Sequence, residues 1–161
     1  MSSKVLLFSI HPEHCDNIFK GIKTVELRRT RPKAKSGDII IVYASSPEKS
    51  VKGIVSVDKV VELPIDQLWL SVEDQAAINH ELFLSYFSGA SKGCGIFLER
   101  KFYRPVTSIG LGDLRKSWSG FHPPQSYRYL RQNEIDIFDQ LFDFDVRKAS
   151  KFCQATIPFN S

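Results

Sequence analysis

Between Phe19 and Arg29 the chain reads Phe-Lys-Gly-Ile-Lys-Thr-Val-Glu-Leu-Arg-Arg. A helix that stops at Gly21 and a strand that starts at Thr24 place Lys23 at the turn. Strand alternation then sets Thr24, Glu26 and Arg28 on one face and turns Val25 and Leu27 inward. An ammonium, a carboxylate and a guanidinium converge there, groups that can hold a phosphate, move a proton or simply pair with one another. A second cluster, Tyr43-Ala-Ser-Ser-Pro-Glu-Lys49, brings a phenol and an ammonium to one rim of a hairpin, with Ser45 and Ser46 beside them. The plainer reading is a core-edge tyrosine and a solvated lysine. A third, Trp118 to Arg131, interleaves Tyr127, Arg128 and Tyr129 after a Gly/Pro-rich loop, a composition suited to stacking bases while holding phosphates. Its plainer reading is a segment that docks on the sheet. His11, His14 and Cys15 are metal-ligand types, but they straddle a helix start and lack two further spaced ligands, so no metal site is read. No phosphate-binding glycine loop, HExxH or GxSxG is present.

The elements that must position these groups alternate. Val5–Ile10 is an apolar run, bounded by His-Pro, that reads as a buried strand. Pro12 suits the first turn of a helix whose apolar face includes Ile18 and Phe19. Thr24–Arg28, Ile39–Tyr43 and a long segment from Val51 to Glu62, with a bulge at Gly53, read as strands. Apolar residues at helical spacing predict a helical insertion around 64–90, and Gly95–Tyr103 returns as a strand. A helical C-terminal extension from about 110 is expected, with short helices at Leu111–Arg115 and Gln125–Leu130 and a longer one from Gln132 to about Phe142. This order predicts an α+β fold: one domain over 1–161, built on a mixed, mostly antiparallel sheet or small barrel.

With 161 residues, 42% hydrophobic and 25% charged, the composition is that of a globular protein, and it excludes disorder, collagen and coiled coil. A chain of this length buries roughly 70% of its unfolded surface, enough for a core without disulfides or a structural metal. No apolar stretch approaches the ~20 residues of a membrane span, and the N-terminus reads as a first strand and not as a signal peptide. Cys15, Cys94 and Cys153 are odd in number and have no CxxC spacing, which points to reduced thiols in the cytoplasm. The formal charge is +4. From Lys20 to Lys35 the basic residues Lys20, Lys23, Arg28, Arg29, Arg31, Lys33 and Lys35 face only Glu26. That basic front end suggests a polyanion-facing surface.

The runs Leu-Phe-Ser-Ile-His-Pro-Glu-His, Ile-Phe-Lys-Gly-Ile-Lys-Thr-Val-Glu-Leu-Arg-Arg and Gly-Asp-Ile-Ile-Ile-Val-Tyr-Ala-Ser-Ser-Pro closely resemble the ASCH domain family. The resemblance returns at Gly93–Leu98 and at Pro123–Leu130. It implies a PUA-like β-barrel with surrounding helices and an RNA-binding cleft beside the barrel. Lys23 falls on the family's cleft lysine, with Glu26 and Arg28 as its partners. Some similar members cleave single-stranded RNA, and in those Tyr43, Lys49 and Ser126 fall on a Tyr, a Lys and a Ser. Other members deacylate N4-acetylcytidine with a threonine nucleophile, at a position that is Glu26 here, while Thr24 is out of phase with it.

The resulting expectation is a metal-independent endoribonuclease with no cofactor, acting on single-stranded RNA. Tyr43, Lys49 and Ser126 are its expected catalytic residues. Lys20, Lys23, Glu26, Arg28, Arg29, Arg31, Tyr127 and Arg128 are its expected nucleic-acid contacts. Two alternatives are a non-catalytic module that recognises RNA or a modified nucleotide, and the N4-acetylcytidine amidohydrolase. Sequence leaves the oligomeric state open.

Overall fold

Val5–Ile10 forms β1, buried at all but one position because its apolar run leaves no face for water. Pro12 opens α1 (Pro12–Phe19), where a missing N–H costs nothing, and Pro12, Cys15, Ile18 and Phe19 form its buried stripe. Gly21, at φ 75°, turns the chain toward β2 (Val25–Arg28). β3 (Ile39–Ala44) is buried throughout, and β4 (Ser50–Pro64) follows after a hairpin. Two helices, α2 (Ile65–Val72) and α3 (His80–Tyr86), precede β5 (Lys92–Tyr103). The chain then runs through β6 (Ile109–Gly110), α4 (Leu111–Ser117), β7 (Tyr127–Tyr129), α5 (Gln132–Phe142), a 3-10 turn at Val146–Lys148 and β8 (Gln154–Ala155). The computed structural model describes residues 3–105, 107–149 and 154–155. Cys153 lies outside the described residues.

One sheet runs in the order β2-β5-β4-β3-β1-β7, with β6 added on β4 and β8 on β5. β1 and β3 are parallel, and the remaining pairs are antiparallel. The mixed, mostly antiparallel sheet is as expected. Its path is open, however: among the described residues no ladder joins β2 to β7, so a closed barrel is not seen. β4 pairs with β3 along its first half and with β5 over most of its length, shifting register against β5 twice, as strands do where a sheet bends. Opposite Val42 and Tyr43 the pairing skips Lys52, which places the expected bulge next to Gly53. A Cβ on Gly53 would lie 2.4 Å from the Tyr103 carbonyl oxygen and 2.8 Å from the Phe19 ring, so that position has no room for a side chain.

Three cores follow. One face of β1, β3 and β4 carries Leu6, Phe8, Ile40 and Val42, closed by Cys15, Ile18 and Phe19 of α1. The other face carries Leu7, Ile41 and Tyr43 and packs on Leu114, Phe121 and Phe138. The third holds Val25 and Leu27 against Leu68, Val72, Phe83 and Phe87 of the two inserted helices.

One expectation about an element needs correction. Gln125–Leu130 is not a helix: Tyr127–Tyr129 is a strand paired with Leu6–Phe8 of β1. Three residues are too few to show a period, and in a strand Tyr127 and Tyr129 share a face, with ring centroids 6.1 Å apart. The polar face of β2 is largely covered: Glu26 is 7% exposed and the Arg28 guanidinium lies 4.9 Å from the Phe8 ring centroid.

Candidate functional site

The N-terminal end of β2 is held by the segment between α2 and α3. The backbone N–H groups of Thr24 and Val25 both donate to the Gln75 carbonyl, and the Thr24 hydroxyl donates to the Gln75 side-chain oxygen. This packing carries Ala76 to Lys23, whose ammonium donates to the Ala76 carbonyl at 2.6 Å while the residue is 3% exposed. Ala77 follows at φ 55°, a left-handed conformation costing roughly 1 kcal/mol in an alanine. Between this segment, α1 and β2 lies a cleft of about 370 Å³, lined among others by Ser9, His11, His14, Lys23, Glu26, Arg28, Leu82 and Tyr86.

Arg28 links its parts. It donates to the Ser9 carbonyl at 3.1 Å and to the Ser126 hydroxyl at 3.2 Å, and pairs with Glu26 at 3.4 Å. Ser9 lies on β1 and Ser126 immediately precedes β7, so this β2 side chain spans the gap between the two ends of the sheet. Of the buried side-chain atoms without a hydrogen-bond partner among the described residues, three belong to residues that line this cleft: Glu26 Oε2, Arg28 Nε and His14 Nδ1. Buried polar atoms are ordinarily satisfied, so unpaired ones around one cleft point to a ligand or ordered water there.

Burial holds the Lys23 ammonium below its ordinary pKa; the Glu26 carboxylate opposes that effect and Arg28 adds to it. Burial also lowers His14, reinforced by Lys23 and opposed by Glu26, which keeps the imidazole neutral at neutral pH. The cleft therefore offers the Glu26 carboxylate, a fixed guanidinium, a neutral imidazole and an ammonium whose pKa is lowered by burial.

Tyr43, Lys49 and Ser126 sit at the same end of the sheet. Ser9 faces Tyr43 in the β1–β3 register, and its N–H donates to the Ser126 carbonyl at 2.9 Å. Ser126, Ser9 and Tyr43 thus form a row across three neighbouring chains, about 4.8 Å per step. Of the three expected catalytic residues, only Ser126 is bonded to a cleft residue, Arg28. Tyr43 is 2% exposed, edge-on to Phe121 in the core shared with α4 and α5. Burial raises its pKa, with Arg115 opposing, so the phenol is protonated at neutral pH. Lys49 is exposed in the β3–β4 hairpin at φ 49°, its carbonyl accepting from Leu111 N–H. Neither Tyr43 nor Lys49 lines the cleft.

The basic run divides. Lys20 is exposed at the C-terminal end of α1. Arg29 donates to the Tyr86 and Ser88 carbonyls at 2.8 and 3.1 Å, tying down the end of α3, and Arg31 donates to the Val60 carbonyl at 3.4 Å. Tyr127 stacks on Phe8 at 5.1 Å, on the Arg28 side of the sheet. Arg128 is turned to the other side, paired with Glu134 and lying over Trp118. Sequence reasoning did not find His14 or Tyr86 as cleft residues. His14, three residues after His11 on α1, carried a usable signal; Tyr86 carried none, because its place depends on how α3 folds back over β2.

Among the described residues no group of three or more His, Cys, Asp or Glu side chains is placed to hold a metal ion. Nor is any helix among them long and apolar enough to cross a membrane.

A mixed sheet whose open seam is bridged by an arginine, beside a cleft of charged and aromatic groups, defines an α+β fold. The ASCH domain model matches residues 8–136, and the chain belongs to that family. It is 32% identical over 131 residues to an ASCH domain-containing ribonuclease of Zymomonas mobilis, covering 81% of this chain and 87% of that one. The crystal structure of ASCH from Zymomonas mobilis superposes with a TM-score of 0.79 at 31% identity, covering 86% of this chain and 95% of the other. A hypothetical protein from Leishmania major, at 13% identity and a TM-score of 0.55 over 88% and 95% of the two chains, shares the fold.

Proposed function

We propose that this protein is an endoribonuclease acting on single-stranded RNA by attack of the substrate's own 2′-hydroxyl. The observation that carries the reading is the relative named a ribonuclease, 32% identical across 81% of the chain. The cleft supports it, because its guanidinium is already fixed by Ser9 and Ser126 and its His14 imidazole is held neutral by burial. In the proposed reaction the 2′-hydroxyl passes its proton to the neutral His14 imidazole, its oxygen bonds to the adjacent phosphorus and the bond to the 5′-oxygen breaks. The products are a 2′,3′-cyclic phosphate and a 5′-hydroxyl end. This chemistry requires no cofactor.

In this reading Lys49, with Lys23, stabilises charge on the phosphorane oxygens, and Ser126 donates a hydrogen bond to them. Tyr43, held protonated by burial, acts as the acid toward the leaving oxygen. Its ring is packed in the core, so this role requires the 118–126 loop carrying Phe121 to give way when RNA binds. Glu26, Arg28 and Tyr127 hold the nucleotide, and Lys20, Arg29 and Arg31 contribute positive potential. Incubating end-labelled single-stranded RNA with the protein tests the proposal. Cyclic-phosphate ends, formed at the same rate with and without EDTA, are expected; intact RNA would contradict it.

A second reading rests on two facts: Tyr43 is only 2% exposed, and Glu26 Oε2 and Arg28 Nε are unpaired acceptor and donor atoms at the cleft. Those features suit a module that recognises a nucleotide without cutting. Tight binding of single strands with no cleavage would select it.

A further inference from the structure

The chain carries a second groove, away from the cleft, at the far end of β7. It has a volume of about 480 Å³, and its lining includes Lys4, Lys33, Arg147 and Tyr129 with no acidic residue. The Lys4 ammonium spends one proton on the Lys33 carbonyl, at 3.1 Å, leaving two donors. The Lys33 ammonium has no partner among the described residues. Tyr129 is 41% exposed, and its hydroxyl accepts the Lys33 N–H at 2.6 Å, so ring and basic loop are fixed to each other. Cations around an exposed, anchored ring are what single-stranded nucleic acid requires: phosphates for the first and a base face for the second.

The strand relates this groove to the cleft. Ser126, bonded to Arg28, and Tyr129, bonded to Lys33, lie three residues apart on one extended segment, about 10 Å along it. The basic loop between β2 and β3 starts at Arg28 and passes Lys33, so one positive edge runs from cleft to groove.

Resting on the RNA reading above, we infer that this groove is a flanking-nucleotide subsite: Tyr129 stacks a base of the strand held in the cleft, and Lys33, Lys4 and Arg147 take the phosphates beside it. The site makes affinity depend on strand length. Fluorescently labelled two- and six-nucleotide single strands, 2′-O-methylated to block cutting, should bind the full chain unequally, the longer one about tenfold or more tighter. Tyr129→Ala and Lys33→Ala should each remove most of that advantage and leave the two-nucleotide affinity unchanged. Tyr129→Phe should keep it, because the ring remains. Equal binding of both lengths by wild type, or alanine variants that keep the advantage, would overturn the subsite alone. Variants that weaken both lengths equally would assign these residues a structural role and also overturn it. Wild type that binds neither strand would overturn the RNA reading itself.

Discussion

Glu26 shows how one residue sets the chemistry of its neighbours. Its carboxylate is the group that opposes the fall in the pKa of Lys23, and one oxygen pairs with Arg28 while the other is unpaired. Glu26→Gln keeps the shape and removes the charge, so the Lys23 pKa falls further. If the Lys23 ammonium stabilises the phosphorane, the alkaline limb of kcat/KM moves to lower pH in this variant. A limb that stays in place would show that the Lys23 charge is unused. Arg28→Lys tests the fork itself: a lysine cannot reach the Ser9 carbonyl and the Ser126 hydroxyl in one plane, so activity should drop roughly 10- to 100-fold. Cys15 is chemically inert by contrast. Burial pushes its thiol up to about 12, and it donates to the Ile10 carbonyl. The folded state keeps this proton where the unfolded chain, with a pKa of 9.0, has lost it. The stability from Cys15 is therefore complete below pH 9 and declines as pH rises toward 12. Denaturant unfolding of Cys15→Ala should show a flatter alkaline decline than wild type.

At the scale of elements, the inserted helices are the cleft's outer wall, and their packing depends on small residues beneath them. A Cβ on Gly93 would lie 2.4 Å from the Phe87 ring and 2.8 Å from Leu68. Gly93→Ala should therefore cost about 1–3 kcal/mol in denaturant unfolding, with Phe87 displaced. Arg29 belongs to this wall as well. By fixing the Tyr86 and Ser88 carbonyls it holds Tyr86, whose hydroxyl donates to the Leu27 carbonyl at 3.3 Å. Its replacement thus acts on cleft shape as well as on charge. These elements also show what the sequence can and cannot disclose. β1, α1, β3 and α5 were legible because an unbroken apolar run or a helical stripe marks each. The strand reading of Thr24–Arg28 placed Glu26 and Arg28 together correctly. That α3 folds over its polar side is not legible, because nothing local to β2 shows it. β7 was misread because its partner, β1, is more than a hundred residues away, and pairing rather than period makes it a strand. The open seam bridged by Arg28 is likewise a long-range fact.

For the whole molecule, positive charge gathered on one edge of the sheet implies affinity that is strongly ionic. Lys23, being 3% exposed, is shielded from salt, so the screened part rests on exposed cations such as Lys20, Arg29, Arg31, Lys33 and Lys35. If about four phosphates are neutralised on a single strand, raising salt from about 50 to about 200 mM should weaken binding roughly 50-fold. Affinity that ignores salt would mean that the basic edge is only a solvated surface. The central claim is that the Tyr43–Ser9–Ser126 row and the Lys49 hairpin carry out cleavage at the RNA held by Arg28. It is tested most directly by measuring single-turnover cleavage and equilibrium binding of the same single-stranded RNA for wild type, Tyr43→Phe and Lys49→Ala. Tyr43→Phe removes only a hydroxyl from a packed ring, and Lys49→Ala one exposed ammonium. Cleavage should fall by one to three orders of magnitude (about 1.4–4 kcal/mol in the barrier) in each, with affinity changed less than about threefold. Wild-type cleavage rates in both variants would contradict the account.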